Sequence, residues 1–369
     1  MTDCTQLIGP HPRAATRTVS LAVRAAMQSA QCDQWLIAYS GGADSLALLV
    51  TAADIAIRRG ERLTALIVDH GLRKESAQQA RQALDIATEV GVEARIVTVE
   101  VPADGSIEAS ARAARYQALL TCAQQLRRQD LNDGRVGVLL GHTMDDQAET
   151  VLLGLARGSG ARSLAGMRPA TTSYQVCWLR PLLKVRADDT REACRELQLE
   201  PVEDPTNAVD GPWRTAANEP LPRIALRHHV IPALSRALGQ DVVPALARTA
   251  SLLEADADAL DALTPPVDDL DVDTLLTYQP AIRARVIKQA AVKAGARGVS
   301  ATHIGAIEAL ITKYRGQGAV HLPGNVSAWR EKTDRPPRRN IIRIQKQSPG
   351  MEHWEDSTTH DSGEANESV

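Results

Sequence analysis

Trp35-Leu36-Ile37-Ala38-Tyr39-Ser40-Gly41-Gly42-Ala43-Asp44-Ser45, running on into a helix-forming stretch from Leu46 to Arg58, decides the fold of this chain. An apolar strand, a paired-glycine turn and a helix start follow one another directly. Paired glycines let backbone N–H groups approach an anion closely, and a helix N-terminus adds partial positive charge. The run Ser40 to Ser45 therefore predicts a phosphate cradle. It lacks the lysine and the GxxxxGK[ST] spacing of a Walker A loop. It carries instead a carboxylate, Asp44, which is a hard oxygen ligand for a Mg2+ bridging phosphate oxygens. The bland reading is a serine-capped helix after a turn; the strand and helix on either side weigh against it.

Outward from this turn, strand and helix patterns alternate. Strands are expected at 63–68, 92–101, 136–140 and 174–183, and helices at 14–31, 76–90, 106–128, 146–155 and 187–197. Near-continuous apolar strands between amphipathic helices predict an α/β fold with a parallel sheet. Ligands then sit beyond the carboxyl ends of the strands. Asp69 and His70 follow the second strand there, and Gly141 and His142 a later one. Five prolines between 201 and 222 read as a linker. Helical patterns at 224–263 and 279–314 and a strand pair around Pro323-Gly324-Asn325 suggest a second, smaller and mainly helical domain. The expected division is 1–32 as a helical extension, 33–215 as the nucleotide-binding domain, 216–346 as the second domain and 347–369 as a disordered acidic tail.

The second chemical signal is Gly141-His142-Thr143-Met144-Asp145-Asp146-Gln147-Ala148-Glu149-Thr150. His142, Asp145, Asp146 and Glu149 fall at i, i+3, i+4 and i+7, one face of a helix. Such a face can hold Mg2+, position an amine or move a proton. Acids in a first helical turn are by themselves usually caps. A second strand-to-helix junction bearing a carboxylate, Asp44, favours the functional reading.

The whole chain adds bounds. Its net charge is −3, unevenly distributed. Residues 254–273 hold eight acids and no Lys or Arg, whereas 283–346 hold fourteen Lys and Arg against Glu308, Glu331 and Asp334. That basic block suggests a polyanion-binding face, and an exposed helical surface is the bland alternative. The five cysteines (Cys4, Cys32, Cys122, Cys177 and Cys194) have no C-x-x-C spacing, which reads as a reducing, cytoplasmic compartment with structural thiols. No signal peptide and no transmembrane run is expected.

SGGxDS after the first strand resembles the PP-loop ATP pyrophosphatases, which split ATP between its α and β phosphates. Within them, Val68-Asp69-His70-Gly71-Leu72-Arg73 and the GHxxDDQxET run resemble the tRNA(Ile)-lysidine synthase family. So do Ala111-Arg112-Ala113-Ala114-Arg115-Tyr116, Arg157-Gly158-Ser159-Gly160, Leu164-Ala165-Gly166-Met167, Arg180-Pro181-Leu182-Leu183 and Asp204-Pro205-Thr206-Asn207. The resemblance is strong over 33–235 and weaker over 236–344. It implies an adenine nucleotide alpha hydrolase-like, Rossmann-like domain and a reaction in which ATP adenylates O2 of the wobble cytidine in a CAU anticodon. Free L-lysine then displaces AMP through its side-chain amine, and lysidine results.

By that resemblance, Ser40, Gly41, Gly42, Ala43 and Ser45 hold the phosphates of ATP, with Asp69, His70 and His142 nearby, and Asp44 binds Mg2+. Asp146 and Glu149 are candidates for the metal or for the lysine ammonium. Arg112 resembles the family arginine near the target cytidine or its phosphate, and a salt-bridged helix face is the alternative. The implied partners are tRNA(Ile), lysine and no membrane, with a homodimer left open. One departure stands out. The family's Arg-Asn-x-x-Arg run is here Arg223-Ile224-Ala225-Leu226-Arg227, which puts the linker contact in question. A PP-loop thiolase would need a cysteine pair or iron–sulfur site, a small-molecule amidotransferase a glutaminase domain, and a silent RNA-binding protein would not need Asp44, Asp146 and Glu149 intact.

Overall fold

Strands with unbroken apolar runs need cover on both faces. The computed structural model of the chain supplies it with helices on each side of a parallel sheet. It describes residues 8–73, 75–101, 107–129, 134–211, 213–215, 217–266, 270–333 and 338–347. The expected acidic tail and Cys4 lie outside these residues, apart from Gln347.

The chain divides into two compact units, Met1–Ala257 and Asp258–Val369. The first opens with α1 (Ala14–Ala30), β1 (Gln34–Ala38), α2 (Ala43–Arg59), β2 (Arg62–Asp69), α3 (Ser76–Glu89) and β3 (Glu93–Thr98). It continues with α4 (Ile107–Gln129), β4 (Val136–Leu140), α5 (Met144–Ala156), α6 (Ala161–Leu164), β5 (Ala170–Ser173), β6 (Val176–Leu179) and α7 (Ala187–Glu196). Among the described residues the sheet order is β3-β2-β1-β4-β6-β5. All neighbours are parallel except the edge strand β5, which pairs antiparallel with β6. The order reverses between β1 and β4, so a crevice opens past their carboxyl ends, where the two motif loops lie.

One face of the sheet packs on α1, α2, α3 and α7 through Val19, Val23, Ile37, Leu48, Ala83 and Ala193. The other is covered by α4, whose Leu119, Ala123 and Leu126 meet Leu36, Val138 and Trp178. In the N-terminal helical extension, α1 thus packs into the core of the sheet. This helix is also tied down chemically, since Thr16 N and Oγ1 donate to Glu196 at 2.8 and 2.6 Å.

The expected boundary near 215 falls inside the first unit. Beyond it, α8 runs through Pro222–Ala225, a π turn at Leu226–Val230 and Ile231–Leu238. Pro232 explains the wider turn: it has no N–H to give and its ring crowds the carbonyl four residues back. Two arginines of α8 pair with acids of α5, which binds this segment to the first unit. The chain divides within α9 (Val243–Ala262).

The second unit holds α10 (Val272–Thr277), α11 (Pro280–Lys293), α12 (Ala301–Thr312) and an antiparallel sheet β7 (Val320–Leu322), β8 (Val326–Lys332) and β9 (Asn340–Lys346). Leu275, Ile287, Ile307, Leu310, Val326 and Ile342 form its core. A third strand, β9, joins the expected pair. Part of the basic block serves this architecture: Arg283 is buried, with Glu308 at 2.7 Å and the Tyr278 carbonyl at 3.2 Å, and Arg343 pairs with Glu331 at 2.6 Å. Lys288, Arg297, Lys313, Arg315 and Lys332 are exposed.

Candidate active site

The turn after β1 needs glycine for two reasons. Gly41 has φ +86°, and a Cβ there would lie 2.9 Å from Val202 Cγ2 and 3.1 Å from Ala83 Cβ. Val202 N donates to the Gly41 carbonyl at 3.0 Å, pinning the turn from beyond α7. Ser45 Oγ donates to the Gly42 carbonyl at 2.9 Å and accepts from Ser40 N at 3.2 Å, so the two serines shape the loop. No side chain caps α2 at Gly42. Its first N–H groups, at Ala43 onward, are left as an anion cradle.

Asp44 points from the first turn of α2 to α7, where the Thr190 hydroxyl donates to its Oδ1. Burial above all, and the charge of Asp146, push the Asp44 carboxyl up to about 6, against the pull of Thr190, Arg191 and Arg227. The acid whose charge reaches Asp44 is Asp146 of α5, and Asp146 in turn acts on Glu149 of the same helix. Asp146 is also the partner of a capping box, its Oδ2 accepting from Thr143 N at 2.8 Å and Thr143 Oγ1 at 3.0 Å. Its other oxygen accepts from Arg227 Nη2 at 3.2 Å. Glu149 is fully buried, with Arg227 Nε at 2.7 Å and Arg223 Nη1 at 3.4 Å. Burial pushes its carboxyl up and Arg227 opposes this.

Asp145, expected on the same face, serves elsewhere. It accepts from Arg186 Nη2 at 3.0 Å and from Ala187 N at 2.8 Å, which fixes the start of α7 and so the position of Thr190. Gln147, between the acids, bonds the Ala165 and Met167 backbone. The Leu164–Met167 motif is thereby a brace for α5.

The remaining motif residues line the same edge. Asp69 is buried and accepts from Gly71 N at 2.9 Å, an Asx-type turn that shapes the loop after β2. Arg73 in that loop donates to Asp204 at 3.0 Å, joining two motifs 131 residues apart. His70 and His142 each have a buried Nδ1 without a partner among the described residues. Burial first, then the Arg115 charge, push both imidazoles down, His142 well below its ordinary value, so both are neutral at pH 7. Arg112 is exposed, 5.0 Å from the Tyr116 ring centroid, with Nη2 3.3 Å from the Tyr116 hydroxyl.

Among the described residues no three His, Cys, Asp or Glu side chains converge to hold a metal alone. Magnesium held mainly by phosphates and water asks for only one or two carboxylates. Asp44 fits that need: its ionisation is opposed by burial and by Asp146, and one of its oxygens lies outside the Thr190 bond. A cavity of about 470 Å3 lined by Gln124, Arg127, Arg128, Tyr174 and Gln175 lies at the far, amino-terminal edge of the sheet and holds none of these residues.

Thr190, Arg223 and Arg227 escaped the sequence reading as members of the site. The run with Ile224 in place of Asn keeps both arginines on the acids, while Ile224 itself is buried. The available signal was the i, i+4 spacing of Arg223 and Arg227, complementary to Asp146 and Glu149 at i, i+3.

Residues 15–234 match the PP-loop domain family and 270–333 the TilS substrate binding domain. The tRNA(Ile)-lysidine synthase of Salinispora tropica is 44% identical over 307 residues, 80% of this chain and 87% of that protein. That of Nocardia farcinica is 43% identical over 323 residues, 85% and 92% of the two. Among solved structures, a U34-tRNA thiolase of Methanococcus maripaludis with a [4Fe-4S] cluster shares the fold at a TM-score of 0.52 and 17% identity, covering 65% of this chain and 79% of that one.

Proposed function

The chain belongs to the tRNA(Ile)-lysidine synthase family, and we propose on that premise how its own residues perform the reaction. It is an ATP-dependent ligase that forms lysidine on tRNA(Ile), adenylating the wobble cytidine and then replacing AMP with lysine, with release of AMP and diphosphate.

The cytidine O2 is a poor leaving group until it carries AMP. Its attack on the α-phosphate expels diphosphate, whose charge the N–H groups of the Gly41–Ser45 turn receive at the N-terminus of α2. Asp44, with Asp146 as the second carboxylate, holds Mg2+, which supplies neutralising charge to the phosphates when bound. Glu149 meets the incoming lysine. Its raised proton affinity suits it to take a proton from the side-chain ammonium and leave a nucleophilic amine. Arg223 and Arg227 balance the two acids meanwhile, and Arg112 guides the anticodon. The second unit, with its exposed basic side chains, grips the tRNA phosphates. Among the described residues no helix is long and apolar enough to cross a membrane, and the enzyme works in the cytoplasm, where its tRNA is.

The observation that carries this reading is the run of acids beyond β1 and β4, in which the charge of Asp146 acts on Asp44 on one side and on Glu149 on the other. The test is diphosphate release by the purified chain with ATP, lysine and an unmodified CAU-anticodon tRNA(Ile). Release should require the tRNA, and nuclease digestion followed by mass spectrometry should find lysidine only when lysine is present. Release independent of the tRNA would defeat the reading.

A further inference from the structure

Three guanidiniums gather round one phenol on the face that α4 covers. Arg112 Nη2 and Arg180 Nη2 lie 3.3 and 3.5 Å from the Tyr116 hydroxyl. The guanidinium carbons of Arg112 and Arg115 lie 5.0 and 5.9 Å from the Tyr116 ring centroid. The ring is held in turn by Trp178 at 5.3 Å, and Arg180 Nη1 is fixed by the Arg168 carbonyl at 2.9 Å. None of the three arginines hydrogen-bonds a carboxylate among the described residues. Asp146 acts on Arg115 only through its field, and Asp69 acts on His70.

The same cluster holds four of the buried polar atoms that lack a partner: Arg115 Nε, Arg180 Nε, His70 Nδ1 and His142 Nδ1. Buried donors are nearly always satisfied, and like charges repel, so this arrangement is costly unless a ligand completes it. Arg180 follows β6 and His142 follows β4, so the cluster opens on the same edge as the glycine turn. Planar guanidiniums with unused N–H groups match phosphate oxygens.

We propose that Arg115 and Arg180, together with Arg112 and His142, form a second oxyanion site, separate from the Gly41–Gly42 turn, that receives a phosphate group during catalysis. Resemblance to the family assigns Arg112 alone. The inference rests on the proposed function for its two sources of phosphate, the diester beside the wobble nucleotide or the departing diphosphate. Tyr116 is then a positioning residue, since its hydroxyl and ring aim the guanidiniums.

The experiment uses the full chain and titrates tRNA(Ile) and inorganic diphosphate separately into wild type, Arg180→Gln, Arg180→Lys and Tyr116→Phe. Arg180→Gln should lose tenfold or more in affinity for one of the two. If the diester is the ligand, tRNA binding weakens, its salt slope falls by about one and diphosphate binding is unchanged. If diphosphate is the ligand, the pattern is reversed. Arg180→Lys keeps the charge and should recover part of the affinity, while Tyr116→Phe should lose affinity for the same ligand without losing charge. Should Arg180→Gln fail to fold, the other two variants carry the test. Unchanged affinity for both ligands in folded variants overturns the site. Loss of either affinity in a protein whose wild type makes no lysidine would instead keep the site and defeat the function.

Discussion

Replacing Asp44 with Asn should make the protein more stable and inactive together. Burial raises the Asp44 carboxyl from 3.8 to about 6, so above that pH the folded chain carries a charge the unfolded chain would carry more cheaply. A shift of about 2 pH units corresponds to about 3 kcal/mol. Asn keeps an acceptor for the Thr190 hydroxyl, but its own amide must be desolvated at about 1–2 kcal/mol, leaving a net gain of about 1–2 kcal/mol. For a unit of this size that is a rise of about 2–8 °C in Tm. The sign follows from a folded pKa raised above the unfolded one. The cost is absent below 3.8, grows between 3.8 and about 6, and is complete above it. Thermal unfolding without Mg2+ should therefore show the variant ahead at pH 8 and behind wild type by about 1–2 kcal/mol near pH 4, where only the desolvation of its amide remains. Diphosphate release should be lost throughout. A stability gap independent of pH, or wild-type diphosphate release by the folded variant, would refute the reasoning.

Arg227→Ala leaves the fully buried Glu149 with Arg223 at 3.4 Å as its one ion-pair partner among the described residues, and urea unfolding should show a loss of about 3–5 kcal/mol that Glu149→Gln largely restores. Additivity of the two changes would mean the pair is not coupled. Lys313→Glu with Arg315→Glu should weaken tRNA binding and lower its salt slope by about two, since both are exposed. Arg283→Glu should instead unfold the second unit by breaking the Glu308 and Tyr278 contacts. Burial pushes the Cys32 and Cys194 thiols up to about 12, so neither is a thiolate at neutral pH, and single Ser variants of Cys32, Cys122, Cys177 and Cys194 should keep full turnover. A folded cysteine variant with no turnover would reopen sulfur chemistry.

The parts of the site legible in the sequence were those encoded by local pattern. The turn at Gly41 sits between an apolar run and a helical one, and the helix of Asp146 and Glu149 follows another apolar run. What escaped was set by tertiary meeting. Arg227 lies 78 residues from Glu149, and nothing in its neighbourhood says which acid it will find. Asp145 and Asp146 are adjacent in sequence, yet one anchors α7 and the other faces Arg227, because successive helical residues point about 100° apart. Arg283 read as surface charge, since burial of an arginine depends on a partner, Glu308, on another helix. Strand β5 was missed because it is short, polar and at an edge, where alternation is weakest.

The bond from Val202 N to the Gly41 carbonyl has a consequence for synthesis on the ribosome. The nucleotide loop emerges early, but the residue that pins it is made 161 positions later, and the arginines that neutralise Glu149 later still. At about 5–20 residues per second the loop waits roughly 10–30 s for its clamp. A nascent chain stalled before Val202 should thus display β1, α2 and β4 without a competent cradle, and stay unable to retain ATP until the segment after α7 has left the exit tunnel.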